Sequence, residues 1–155
     1  MGVITGGKPI EGGAAAIFAE SLYFAESTGA GTYTATVALP AGALVLDVQV
    51  HGEALWAATT SASLEVGDGT DPDGWWTAVN LKATDLLAGE GLSFANLGAS
   101  EAGAYLVNSQ VNSAYSATAR TLTATVATVG AAGATGKTRV VVVFAVLADR
   151  AATKA

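Results

Sequence analysis

Short runs rich in Val, Thr and Ala, set apart by glycine and proline, restrict this chain more than any other feature. They read TYTATVAL from Thr32, LVLDVQVHG from Leu44, TLTATVATV from Thr121 and TRVVVVFAVL from Thr138. β-Branched side chains suit a pleated, half-buried surface. In the second run Leu44, Leu46, Val48 and Val50 alternate with Val45, Asp47, Gln49 and His51, which predicts a strand with one face inward. Pro40-Ala41-Gly42 supplies turn chemistry before it. Further strands are predicted at Ala62 to Val66 and Tyr105 to Val111, with a short helix after Asp71 where Pro72 fits a first turn. No long amphipathic helix follows residue 30. The pattern predicts an all-β protein, an antiparallel β-sandwich of jelly-roll-like type over 32–148.

The N-terminal region reads differently. The first thirteen residues contain five glycines, and AAAIFAESLYFAEST then carries FAES at 18–21 and again at 24–27. A period of six fits two-residue alternation as well as a loose helix, so strand and helix both stay open. The expectation is a flexible arm over 1–31, with an apolar segment or short helix at 14–27 that either joins the fold or reaches a neighbour, and a C-terminal tail at 149–155. Phe18, Leu22, Tyr23 and Phe24 are its candidate contact residues.

At 155 residues the chain suits one domain, and with no cysteine it has neither disulfides nor thiolate chemistry. Charged residues make up 13% against 51% apolar, sparse for a surface wholly in water. Covered surface is therefore expected. The net charge of −6 argues against nucleic acid, whose binding needs clustered Lys and Arg. No apolar run reaches the roughly 18–20 residues of a bilayer span, so no membrane partner is expected. Charge is uneven: residues 1–101 carry −10 and residues 102–155 carry +4. The halves either interleave in the sheets or meet between subunits.

The stretch VGDGTDPDGWW, Val66 to Trp76, concentrates Asp68, Asp71 and Asp73 with two tryptophans. An EF-hand needs acids at positions 1, 3 and 5 and Glu at 12, and neither register beginning at Asp68 or Asp71 supplies them. A turn with an Asx-type cap is the favoured reading. Trp75 and Trp76 are adjacent, so on an extended segment they point to opposite faces, and packing in a core or subunit interface is favoured over a sugar platform. GAAGATGKT, Gly130 to Thr138, has Ala131 where a phosphate loop needs its first glycine and precedes a strand, so it reads as a hairpin connection. His51 is the only histidine, and nothing places carboxylates such as Glu53 and Glu65 together in a cleft. No catalytic, metal or cofactor residue is assigned, and no enzyme is expected.

The order YTATVALPAGALVLDVQVHG, SLEVGDGTDPDGWWTAVNL, GAYLV, TLTATV and GKTRVVVVFAV resembles small virion proteins of tailed bacteriophages, in particular β-sandwich capsid decoration or cement proteins. The resemblance covers about residues 32–147. It implies a homotrimer on the outer capsid surface, bound to the major capsid protein and stabilising the head. The alternative from a different class is a carbohydrate-binding module or receptor-contacting virion appendage that uses Trp75 or Trp76.

Overall fold

The structure, a computed structural model, describes residues 15–82, 85–131 and 133–147. Its strands are β1 (Ala16–Ala25), β2 (Thr32–Leu39), β3 (Ala43–Ala54), β4 (Ser61–Asp68), β5 (Trp76–Asn80), β6 (Gly91–Leu92), β7 (Leu106–Val107), β8 (Gln110–Val111), β9 (Arg120–Val129) and β10 (Lys137–Val146). A single 3-10 turn, Phe94–Asn96, interrupts them. β7 and β8 form a small hairpin of their own. The other eight form two four-stranded antiparallel sheets, ordered β1-β10-β3-β6 and β2-β9-β4-β5. From β1 to β4 the strands thus alternate between sheets, β4 and β5 form a hairpin within one sheet, and the first strand lies beside the last. That order is a jelly roll, a sandwich of two interlocked Greek keys.

The core lies between the sheets, where alternate residues of every long strand meet. Val48, Val50, Leu64, Val66, Leu122, Val126, Val140 and Val142 have no or almost no exposed surface. Their neighbours along the strand, on the other face, are mostly Thr, Ser, Gln, His or charged residues, or the half-exposed valines of β10. Two indoles fix the core by hydrogen bonds. Trp76 Nε1, on β5, donates across the sandwich to the Val48 carbonyl at 2.7 Å, and Trp56 Nε1, in the loop after β3, donates to Thr138 Oγ1 on β10 at 2.8 Å. Each thereby satisfies a polar atom that burial would otherwise strand.

The segment expected as an arm or short helix is neither over its described residues. Ala16–Ala25 is a ten-residue strand paired with β10 from Ala16 against Val146 to Ala25 against Lys137. Tertiary pairing decides what the period of six left open: Phe24 is buried and Phe18 stacks on Phe144 at 5.3 Å. The sandwich accordingly begins at β1 and not at residue 32. The rest of that expected arm up to residue 14, and the expected tail at 149–155, lie outside the described residues.

The inward row of β3 also departs from simple alternation. Val45, Val48 and Val50 are buried while Leu46 is 41% exposed, because the register with β10 shifts between Val143 and Phe144. An extra residue on one strand reverses the phase beyond it. Tyr105 to Val111 is likewise not one strand: Asn108 and Ser109, at φ 55° and 59°, make the turn between β7 and β8.

Candidate functional site

The turn that follows β4 is built around Asp68. Its Oδ1 accepts the backbone N–H of Thr70 at 2.9 Å and of Asp71 at 3.2 Å, and its own N–H donates to the Asp71 carbonyl. This is the expected Asx-type cap, and it takes the place of the short helix expected after Asp71. Gly67 lies so close to the Asp71 and Pro72 backbone that no side chain fits there.

Asp68 is also the centre of a buried polar cluster. Tyr105 donates its hydroxyl to Oδ1 at 3.0 Å, and Arg120 donates from Nη1 to Oδ2 at 3.0 Å. The other end of the guanidinium, Nη2, donates to the carbonyls of Ser113 and Ala114 at 2.6 and 3.0 Å, and its face lies 5.3 Å from the Trp75 ring. Burial pushes the Asp68 carboxyl up, but the Thr70 and Asp71 amides, the Tyr105 hydroxyl and the Arg120 charge outweigh it and hold it below the usual range. Burial and the Asp68 carboxylate together raise the Tyr105 phenol. A cleft of about 590 Å³ opens beside this cluster, with the exposed Tyr115 on its rim. Both carboxylate oxygens of Asp68 are already taken by donors from the chain itself. The cluster therefore works as a clamp that ties the residue 113–116 loop to β4 and β9.

Asp71 and Asp73 form a carboxyl pair. The hydrogen bond Asp71 makes to Asp73 raises the Asp71 carboxyl above its ordinary value, while the Thr77 hydroxyl, donating at 2.7 Å, and Asp71 lower Asp73. Among the described residues, no group of three or more His, Asp or Glu side chains is placed to hold a metal ion.

Glu26 is, with Asp68, the other buried carboxylate among the described residues, 5% exposed. It accepts the Ala57 amide at 2.9 Å and the Gly136 amide at 3.1 Å, tying three interstrand loops together. Burial raises it, and amides of Ala57, Gly136, Thr135 and Ala58 outweigh that and lower it. Sequence reasoning missed this residue because its donors are backbone groups far away in the chain.

The six candidate contact residues separate into two sets. Trp75, Trp76 and Phe24 lie in the core, at 0%, 0% and 3% exposure, so none of them presents a surface to a partner. Trp75 and Trp76 do follow the core reading, although both are inside and not on opposite faces, because Trp76 opens β5 while Trp75 still belongs to the turn. The sugar platform they would have formed does not exist. Phe18 and Leu22 are half-buried on the core-facing row of β1, and Tyr23 is 47% exposed on its outer row beneath Arg139, whose guanidinium lies 5.0 Å from the ring. Glu53 and Glu65 sit on different sheets, Glu53 paired with Arg139 at 2.7 Å and Glu65 on the outer face of β4. His51 is half-buried on β3, 3.2 Å from Gln49 Oε1.

The two sides of the sandwich are finished differently. On the β6 and β5 side the chain covers its own edges. The Val45 amide donates to Ala114, the Ser116 amide donates to Ala43, and the Thr77 amide donates to Glu101 on the rim of β5. On the other side β1 and β2 end their sheets with no hydrogen-bonded neighbour beyond them among the described residues. No helix of the described residues is long and apolar enough to cross a membrane.

No protein-family model and no curated protein matches the sequence. Among solved structures, the chain is similar to a chain of the cyanophage Pam1 capsid asymmetric unit, at 21% identity over 92% of both chains with a TM-score of 0.51. It is also similar to a chain of the acid-stable capsid structure of Helicobacter pylori bacteriophage KHP30, at 16% identity over 89% of this chain and 99% of that one, with a TM-score of 0.55. At these identities, what the chain shares with both is its fold, across nearly the whole of each polypeptide.

Proposed function

We propose that this protein is a phage virion component, a capsid decoration protein that binds the assembled lattice of the major capsid protein and stabilises the head from its outer surface, as a homotrimer. The observation that supports this reading is the jelly roll shared end to end with chains of two phage capsids. Sparse charge and a sandwich flank that, among the described residues, is left uncovered on β1 and β2 fit a chain that completes its surface by assembly. A capsid lattice repeats one site many times, so a ligand that binds only the assembled form stabilises it through modest contacts. The reading assigns no catalysis and no cofactor.

Immunogold labelling of purified virions, with antibody raised against the recombinant chain, tests it. Gold spread over the head is the expected result. Label confined to the tail, or no label on virions, overturns the proposal.

A further inference from the structure

The chain has three prolines, and one of them, Pro72, follows an aspartate. An Asp–Pro bond is labile in mild acid for two reasons. The aspartate carboxyl reaches its own carbonyl carbon and closes a five-membered ring on it, and the proline nitrogen, a tertiary amide without an N–H, takes up a proton more readily than an ordinary peptide nitrogen. Asp71–Pro72 lies in the turn between β4 and β5, with Pro72 exposed and Asp71 half-buried. The fold adds what the bare dipeptide lacks. The Asp71 carbonyl oxygen accepts two backbone amides, the Asp68 N–H at 2.9 Å and the Gly74 N–H at 3.2 Å. Gly74 is itself held against the Tyr105 ring, so closely that a side chain there would collide with it.

Two amide donors aimed at one peptide carbonyl stabilise the charge that its oxygen gains when the carbon is attacked. Beside them the Asp71 and Asp73 carboxyls are hydrogen-bonded to each other. A hydrogen bond between two carboxyls needs one shared proton. The first proton taken up as pH falls goes to Asp71, because its carboxyl is raised while that of Asp73 is lowered. Among the described residues, the other ionisable groups that feel Asp71 are Asp68, at the end of β4, whose charge adds to the rise, and the Tyr105 phenol.

We propose that the Asp71–Pro72 bond is a self-cleavage site, at which the folded turn cuts its own backbone in mild acid. An Asp71 carboxyl oxygen attacks the carbonyl carbon of the same residue, and the C=O electron pair moves onto the oxygen held by the Asp68 and Gly74 amides. Asp73 takes the Asp71 proton and passes it to the Pro72 nitrogen. The C–N bond breaks with its electron pair going to that nitrogen. A five-membered anhydride is left at Asp71, and one water opens it to two carboxyls. The sum is hydrolysis of one peptide bond, with water as the only co-reactant. The two pieces, 1–71 and 72–155, stay together, because β4 keeps its pairing with β5 and with β9. This chemistry is independent of the decoration reading.

The test incubates the full-length protein at pH values from about 4 to about 7, beside a peptide of residues 66–76 that has the same bond without the fold. Rates are read where near-UV circular dichroism matches that at neutral pH, so that the chain is folded while it is cut. Denaturing gels and intact mass follow the two pieces. The expected result is scission at Asp71–Pro72 alone, at least about tenfold faster in the protein than in the peptide, with a native gel still showing one species. The rate should peak where the carboxyl pair holds one proton and fall on either side. Asp71→Asn should abolish the cut, and Asp73→Asn, which keeps a hydrogen-bonding group but relays no proton, should slow it by at least about tenfold. A protein that stays intact, one cut no faster than the peptide, or an Asp73→Asn protein cut at the parent's rate overturns the proposal.

Discussion

Arg120 lies between Asp68 and Trp75, its Nη1 3.0 Å from the carboxylate and its guanidinium 5.3 Å from the indole ring. Both charged side chains are largely removed from water, at 15% and 5% exposure. Cutting such a pair leaves a buried charge without its partner. Arg120→Ala should lower the unfolding free energy by about 3–5 kcal/mol in urea denaturation. It should also free the 113–116 loop, whose carbonyls lose their donor. A loss near zero would mean that the clamp does not hold the fold.

The ion pair between Arg139 and Glu53 has a shorter contact, 2.7 Å, and should matter far less. Its side chains are 40% and 37% exposed, so water and salt screen the attraction. Glu53→Gln should change stability by less than about 1 kcal/mol in the same assay. The contrast between the two pairs tests burial, not distance, as the deciding quantity.

Acid should act through Glu26 and Asp68. Both carboxyls are held below their ordinary values of 4.5 and 3.8 in the folded chain. A lowered native value means that the unfolded chain binds protons first as pH falls. Their contribution is therefore fully present above the ordinary carboxylate range and is lost as pH drops through the lowered native values. Denaturation curves from neutral pH downward should show stability falling only below that range, with Glu26→Gln and Asp68→Asn less stable at neutral pH and flatter in acid. Variants with the parent's pH profile would count against both networks.

Trp75→Ala and Trp76→Ala should each destabilise by about 3–5 kcal/mol, since each empties a fully buried site. Thermal melting reads this directly. A variant that melts as the parent does would contradict the core placement.

Gly103 has no room for a methyl group, since an added Cβ would run into the backbone carbonyls of Asp73 and Gly74. Gly103→Ala should cost about 1–3 kcal/mol by forcing the two loops apart. The melting midpoint of the purified variant checks it.

Much of the sandwich was legible because Thr121 to Val129 alternates and Thr138 to Leu147 is a continuous β-branched apolar run, and they become β9 and β10 within a residue or two. Both strands are paired on both sides, and the period of β10 breaks only at its register shift with β3, where Phe144 and Ala145 are both buried. β1 was ambiguous because an edge strand needs only one apolar row, and its row is interrupted by Glu20. Leu46 was misassigned because a bulge leaves no mark in composition. The clamp was half legible: VGDGTDPDGWW announced the turn, but nothing in the sequence joins Asp68 to Arg120, which belongs to a different strand more than fifty positions away. The two tryptophans drew attention as surface candidates, yet bulk alone does not say which way a side chain points.

The pairing of β1 with β10 has a consequence for how the molecule is made. Even the nearest partners in that ladder, Ala25 and Lys137, come from opposite ends of the polypeptide, and β3 waits for the same strand. Contacts this distant in sequence form slowly, because much loop entropy is lost before any pairing rewards it. During synthesis the first sheet can have neither its centre nor its β1 edge until β10 has left the ribosome. A nascent chain stopped before Lys137 would hold β1 unpaired and β3 with β6 alone, a form open to proteases and to aggregation, so only chains that include β10 would enter the pool of folded protein.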